Sequence, residues 1–149
     1  MTCYVVSVQR HIDAPPDRLF DLVADPAQHP VIDGSGSVRA VLPGNPARLS
    51  LGATFGMDMK LGARYRVTNT VIEFDEPHRI AWRHFNGHIW RYLFEGEMGG
   101  TLVTEQWDAT RVWNRALLAI MGFPRRNREG MTKTLELLAD LDANRSARS

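Results

Sequence analysis

The stretch 101–121, TLVTEQWDATRVWNRALLAIM, contains the change from strand to helix on which the fold depends. Its first half alternates β-branched and aromatic residues with polar ones, which predicts a strand with Val103, Glu105 and Trp107 on one face. Its second half predicts a helix, because apolar residues recur there at helical spacing. These residues are Trp113, Ala116, Leu117, Ile120 and Met121. The strand therefore turns a carboxylate toward the side that Trp107 marks as internal.

The chain before this stretch is mostly strand-like, and the chain after it is helical. Strands are predicted near residues 3–12, 37–43, 52–60, 64–75, 78–85, 88–96 and 101–109, with Gly, Pro and Asn turn signals between them. Residues 13–26 predict a short helix that ends at Pro26, and residues 26–37 allow at most one further helical turn. A longer helix follows Pro124. Its apolar stripe is Met131, Leu135, Leu138 and Leu141.

This order predicts an α+β fold, with a seven-stranded antiparallel sheet wrapped around one long C-terminal helix and two short helices after strand 1. Seven strands make a sheet about 29 Å wide, whereas a single helix with its side chains is only about 10–12 Å across. The sheet must therefore curl around the helix, and Gly52, Gly56 and Gly62 are positions where strands could bend. Curling leaves space between sheet and helix, so we expect an internal cavity.

The residues predicted to line this cavity are the inward aromatic and aliphatic side chains of the strands, joined by apolar positions of the two late helices. They are Phe55, Met57, Met59, Tyr65, Trp82, Trp90, Tyr92, Phe94, Trp107, Ile120, Met121, Met131 and Leu135. The methionines among them would equally fill gaps in an ordinary core. The segment 113–121 also has two interpretations, as a lid over the cavity mouth or as a helical turn docked on the core.

Three strings resemble the SRPBCC superfamily, which has the helix-grip fold of START domains and birch-pollen-type allergens, and in particular its polyketide cyclase/dehydrase-like branch. They are IDAPPDRLFDLVADP at 12–26, VIEFDEPHRIAWR at 71–83 and WRYLFEGEMGGTLVTEQWD at 90–108. The similarity spans roughly residues 3–142. It implies a ligand cavity but names no ligand, because members of this fold bind or convert very different apolar molecules.

Glu105 and His84 are the candidate acid/base residues, and their positions depend on hairpin register. With Met98 opposite Thr101, Phe94 pairs with Glu105 and Tyr92 pairs with Trp107. An unpaired buried carboxylate is costly, so Glu105 needs either a partner or a wet cavity. It is interpreted either as a cavity-wall acid or as half of a structural ion pair.

The hairpin before it admits two registers. A three-residue loop 86–88 pairs His84 with Trp90 and Trp82 with Tyr92, which gathers the aromatic residues on one face. A two-residue turn at 86–87 would instead place Trp82 on the opposite face. The first register is preferred, and it leaves His84 either as a hydrogen-bonding group for a ligand or as a rim residue without chemistry.

Composition and motifs exclude several classes of function. The 149 residues fit one domain, predicted to span 1–143 with a disordered tail at 144–149, and the net charge of +1 gives no footprint for nucleic acid. No apolar run reaches the ~20 residues of a membrane span, and the single Cys3 suggests a reducing cytoplasm.

No cofactor is predicted. His84 and His88 lack a visible third ligand for a metal, and DGSGS at 33–37 is a loop in which Asp33 could flank the cavity entrance.

Three functions follow as expectations. The first is reversible binding of a hydrophobic small molecule, such as a lipid, a polyketide-like aromatic or an isoprenoid. The second is a polyketide cyclase, dehydratase or aromatase using Glu105 or His84, which Glu73 would strengthen if it came within range. The third is a protein-interaction module like the co-chaperone branch of the superfamily. The ligand and the oligomeric state, monomer or homodimer, stay open.

Overall fold

Within residues 4–148, which the computed structural model describes apart from the side chain of Leu61, seven strands form an antiparallel sheet. Their order across the sheet is β1-β7-β6-β5-β4-β3-β2. The strands are β1 Val5–Ile12, β2 Val38–Val41, β3 Thr54–Leu61, β4 Ala63–Asp75, β5 Arg79–His84, β6 Ile89–Glu97 and β7 Gly100–Asp108. The predicted start of the first strand at Cys3 lies outside the described residues. Each later strand pairs with the next along the chain, and β1 closes the far edge against β7.

Two short helices follow the first strand, as the sequence predicts, and two helices follow the last. They are α1 Pro16–Val23, α2 His29–Ile32, α3 Arg115–Ile120 and α4 Phe123–Arg148, with a 3₁₀ turn at Pro26–Gln28 between the first two. Helix α1 begins with a proline in its first turn and buries Leu19, Phe20, Leu22 and Val23. The α+β helix-grip architecture is therefore confirmed.

Helix α4 is the long C-terminal helix around which the sheet wraps. Its 26 residues make it about 39 Å long, and Met131, Leu135 and Leu138 are buried on one stripe. Pro124 does not interrupt this helix, because it occupies the first turn, where no intrahelical N–H bond is lost. The helix also continues through residues 144–148, where the sequence predicts a disordered tail.

Two irregularities interrupt the strand pairing of the sheet. The pairing of β4 with β5 shifts between Val71 and Glu73, and the pairing of β2 with β3 shifts between Val38 and Ala40. Such bulges increase local twist and curvature. The pairing of β3 with β4 runs without a register shift past Gly56, so no bulge marks that position.

Candidate functional site: a cavity between the sheet and α4

A cavity of about 650 Å³ lies between the curved sheet and the first half of α4. Its wall is mostly aromatic and aliphatic. Among the predicted residues, those that line it are Phe55, Met57, Met59, Tyr65, Trp82, Trp90, Tyr92, Trp107 and Met131, together with Glu105 and His84. Pockets of about 300–1,000 Å³ with apolar walls and few polar groups are typical of small-molecule sites.

Four predicted lining residues lie elsewhere. Phe94 faces inward but packs on Phe20 of α1, with ring centroids 5.7 Å apart, and Leu135 is buried in the same core cluster. Strand alternation and helical spacing predicted that both side chains face inward, as they do, but α1 packs into that end of the space between the sheet and α4. Ile120 and Met121 are exposed to solvent, because α3 packs on the core through Leu118 instead.

Glu105 lies inside the protein on β7 and is only 4% exposed. The register predicted for this hairpin is wrong by two residues, because the turn is Met98-Gly99 and Glu97 pairs with Gly100. Since a two-residue change of register preserves the face, the aromatic residues still surround the acid. Tyr92, not Phe94, lies opposite Glu105, and its hydroxyl donates to Glu105 Oε1 at 3.0 Å.

Burial controls the charge of this pair. Removal from water raises the pKa of Glu105 to about 8, although the Tyr92 hydrogen bond acts in the opposite direction and Asp33 adds to the rise. The pKa of Tyr92 is raised well above its ordinary value, by burial first and then by Glu105. At neutral pH the carboxyl of Glu105 is therefore predominantly protonated, and its Oε2 has no hydrogen-bond partner among the described residues.

His84 and His88 stand together at another part of the cavity wall. The loop between them is 85–87, with His84 N–H donating to the His88 carbonyl, so Trp82 pairs with Trp90, not with Tyr92. Gly87 has a φ of +105°, a conformation that favours glycine at the end of such a loop. The two imidazoles stack with centroids 4.3 Å apart. Burial lowers the pKa of both, that of His88 to about 3, so both rings are neutral at pH 7.

Two polar groups that the sequence reasoning missed also face the cavity. Asn69 Oδ1 and His88 Nδ1 are buried and have no hydrogen-bond partner among the described residues. Asn69 could have been found from the pattern, since it lies two residues from both Val67 and Val71 and therefore shares their inward face. His88 could not, because its direction depends on the loop register.

A third group that the sequence did not indicate is His29 of α2, which lines the cavity. Its Nε2–H donates to the Val23 carbonyl at 2.8 Å, and its ring stacks on Trp82. Burial lowers the pKa of His29, so this ring is also uncharged at neutral pH. It had no periodic signal, since α2 is only four residues long and lies among prolines.

The loop 33–37 closes part of the mouth against α4. Gly34 N–H donates to Thr134 Oγ1 at 2.8 Å, and Asp33 organises the loop by accepting from Ser35 and from the Val38 N–H. Asp33 and Gly34 line the cavity, as does Gly130, which faces Ser35 across the contact. This loop therefore flanks the cavity, which is the position that the sequence analysis suggested for Asp33.

Glu73 does not reach the cavity. It lies on the outer face of the sheet, where Arg91 and Arg79 pair with it and Arg91 lowers its pKa. A second carboxylate near Glu105 from this strand is therefore ruled out. Across residues 4–148, no group of three or more His, Cys, Asp or Glu side chains could hold a metal ion. None of the helices in that range has both the length and the apolar character of a membrane span.

A curved antiparallel sheet, a long gripped helix and a cavity between them define the class of helix-grip proteins. The chain belongs to the family described as "Polyketide cyclase / dehydrase and lipid transport", whose profile matches residues 4–140. The resemblance seen in the sequence is therefore confirmed at the level of the family.

The chain is also similar to individual known proteins. It is 39% identical over 142 residues to the uncharacterized protein Rv0088 of Mycobacterium tuberculosis H37Rv, covering 91% of this chain but only 62% of that protein. The chain thus spans less than two thirds of that relative's length.

Two solved structures extend the comparison. Protein Ms6760 of Mycobacterium smegmatis has a TM-score of 0.71 at 22% identity, covering 98% of this chain and 93% of that one. The AHSA1-like protein of Aeromonas hydrophila has a TM-score of 0.69 at 18% identity, covering 97% and 95%. At these identities the likeness shows the fold alone.

Proposed function

We propose that this chain binds a hydrophobic small molecule, such as a lipid, a polyketide-like aromatic or an isoprenoid, that also carries a neutral hydroxyl or carbonyl group. The observation that carries the proposal is a largely apolar cavity whose wall includes three residues that each hold a buried polar atom without a hydrogen-bond partner among the described residues. These atoms are Glu105 Oε2, Asn69 Oδ1 and His88 Nδ1.

Apolar burial supplies the affinity in this proposal. Each Å² of apolar ligand surface removed from water contributes about 25 cal/mol, and the aromatic wall around Trp82, Trp90 and Trp107 can cover a flat or extended ligand. The methionines Met57 and Met59 adapt to irregular shapes because their side chains are flexible and polarizable. This combination suits a ligand of the size of a small polyketide or an isoprenoid.

The polar atoms supply orientation. Protonated Glu105 can donate from Oε2 to a ligand carbonyl, while Asn69 Oδ1 accepts from a ligand hydroxyl. The neighbouring imidazoles of His29 and His88 are neutral at pH 7, so neither offers a positive charge to an anionic head group. Although the exposed Arg126 also lines the cavity, a neutral ligand with one donor and one acceptor matches the buried Glu105, Asn69 and His88 better than a carboxylate does.

A ligand panel with one cavity-filling variant tests this function. Val67 is buried on β4 and lines the cavity, so Val67→Trp places an indole inside it. We expect fatty alcohols, prenyl alcohols and hydroxylated aromatic ketones to raise the melting temperature of the wild type and to lose at least tenfold in affinity for the variant.

The matched control is Leu51→Trp, which adds an indole at an exposed loop position. This variant should bind as the wild type does. A panel that shifts neither protein, together with a native mass spectrum showing no retained molecule, would contradict the proposed function.

Catalysis is the second candidate, and the Tyr92–Glu105 hydrogen bond of 3.0 Å is the observation that favours it. A carboxyl whose pKa is about 8 can act as a general base once deprotonated, with the Tyr92 hydroxyl still a donor beside it. Such a pair could remove a proton from a carbon next to a ligand carbonyl, as cyclisation and dehydration of polyketide-like substrates require.

Deuterium exchange detects that proton transfer without knowledge of the substrate. With acetophenone in D₂O, the rate of methyl exchange should rise with pH and level off above pH 8, where Glu105 is ionised. Glu105→Gln should lower this rate at least a hundredfold, and the exposed Glu95→Gln should not change it. Exchange at the solvent rate in all three proteins would leave binding as the only function supported.

The interaction-module alternative has less support. The AHSA1-like structure shares the fold at 18% identity, which carries no argument about partners. No contact in the described residues favours it over the cavity.

A further inference from the structure

We propose that α3 and the chain beside it form a docking surface for an anionic membrane at the mouth of the cavity. We call this surface the α3 patch. Its apolar members are Trp113, Leu117, Ile120 and Met121, and its basic members are Arg111, Arg115, Arg125, Arg126 and Arg128. The proposal does not depend on which ligand the cavity takes.

The apolar members are large side chains that the fold leaves in water. Trp113 is 88% exposed and Ile120 is 83% exposed, and Leu117 and Met121 are also more than half exposed. Leu117 and Ile120 lie on α3, and Trp113 and Met121 lie in the turns that flank it. Scattered exposed apolar residues are normal, but four large ones so close together in one segment mark an interaction surface.

The charge of this segment differs from that of the whole chain. Residues 109–128 contain five arginines and no acidic residue, although the complete protein has a net charge of only +1. All five arginines are exposed. The nearest acid along α4, Glu129, forms an exposed ion pair with Arg125 at 3.4 Å, which contributes little in water. The patch is therefore locally basic.

This combination matches a membrane surface better than a protein surface. An interfacial helix inserts an apolar stripe that includes Trp into the boundary of the acyl chains, while arginines at its flanks meet lipid phosphates. A protein partner would need an acidic groove with an apolar floor to receive α3.

The position of the patch agrees with this partner. Leu118 and Arg126 line the cavity from the same segment, and so does the exposed Phe85 from the neighbouring loop. That loop lies close by, since the Arg111 carbonyl is 4.0 Å from where a Cβ at Gly87 would lie. Docking through α3 would therefore turn the cavity mouth toward the bilayer.

Vesicle sedimentation tests the proposal on the unliganded protein. With vesicles of phosphatidylcholine and phosphatidylglycerol in about 0.1 M salt, we expect the protein to bind, with a blue shift of Trp113 emission that Trp113→Phe removes. Binding should fall at least tenfold in pure phosphatidylcholine or in about 0.5 M salt.

Charge-reversal and apolar variants separate the two contributions. Arg111→Glu/Arg125→Glu and Leu117→Gln/Ile120→Gln should each weaken vesicle binding at least tenfold, and neither changes a cavity-lining residue. The charge control is Arg145→Glu/Arg148→Glu, which makes the same change in net charge about 30 Å away along α4. The apolar control is Leu51→Gln, an exposed leucine outside the patch. Both controls should bind as the wild type does.

Three results would overturn the proposal. They are equal binding to vesicles with and without anionic lipid, equal weakening by the α4 control pair, and retention on immobilised polyglutamate with no binding to anionic vesicles. The last would assign the patch to an acidic protein partner. Each can be read whether or not the ligand panel identifies a cavity ligand.

Discussion

Glu105→Gln is expected to make the folded protein more stable in alkaline solution, by about 5 kcal/mol at pH 9. The wild-type carboxyl has a pKa of about 8 in the folded chain, against the ordinary value of 4.5 that it regains on unfolding. Between these values the folded protein holds a proton that the unfolded chain has lost. The free energy of unfolding therefore falls as the pH rises through this window, and a glutamine, which does not titrate, removes that loss.

The measurement is urea unfolding of both proteins from pH 5 to pH 9. The difference in stability between variant and wild type should be small at pH 5, grow through neutral pH and level off above pH 8. Glu95→Gln makes the same change in net charge at an exposed position of β6 and serves as the control. A difference that does not vary with pH would mean that Glu105 ionises alike in the folded and unfolded chain.

The same titration connects stability with function. Below pH 8 the protonated Glu105 can donate a hydrogen bond to the proposed ligand, and above pH 8 the group becomes a buried anion with only the Tyr92 hydroxyl as a partner among the described residues. A protein that placed a carboxyl here for stability alone would do better with glutamine at every alkaline pH. The unfavourable burial of Glu105 therefore supports its proposed role in the cavity.

The sequence predicts faces well and pairs poorly, and the two hairpins around β6 show why. Alternation decides which side of the sheet Trp90, Tyr92, Glu105 and Trp107 occupy, because a strand has a period of two. The turn decides which residues lie opposite each other. Both turns differ from the prediction by a change that preserves the face, so these side chains face the side that the sequence predicts while the residue opposite Glu105 is not the predicted one.

Helical spacing alone also gave a wrong prediction of which side chains around α3 are buried. The stripe of Trp113, Leu117, Ile120 and Met121 has the period of a buried face, yet it is exposed. Helix α3 has only six residues and is held by Leu118 and by the contacts of Phe123 with the core, so the side with fewer large apolar residues faces inward. Periodicity reports that a face is apolar, and it does not report what covers that face.

Residues in irregular segments gave the least signal. His29, Asp33 and Gly34 line the cavity from the stretch between α1 and β2, where neither period applies. Their positions follow from tertiary contacts with α4, such as the hydrogen bond from Gly34 N–H to Thr134. The loop composition predicted a loop, and only the approach of the helix made it a wall of the cavity.

Gly34→Ala is expected to destabilise the protein by about 3 kcal/mol, as overpacking against a rigid neighbour does. A Cβ at this position would lie 2.2 Å from the Gly130 carbonyl oxygen and 2.5 Å from the Thr134 nitrogen. Both atoms belong to the backbone of α4, so no change of rotamer relieves the clash. Urea unfolding at pH 7 measures the loss.

Gly36→Ala is the matched control, because it makes the same substitution two residues further along the same loop. Its Cβ would meet nothing within 4 Å, and its φ of +72° alone costs an alanine about 1 kcal/mol. Since Gly34→Ala can be accommodated only by moving the loop away from α4, it should also weaken ligand binding, whereas Gly36→Ala should reduce stability alone. Equal, small losses in both variants would mean that the loop is not seated on α4, and the wall that Asp33 and Gly34 give the cavity would then not exist in solution.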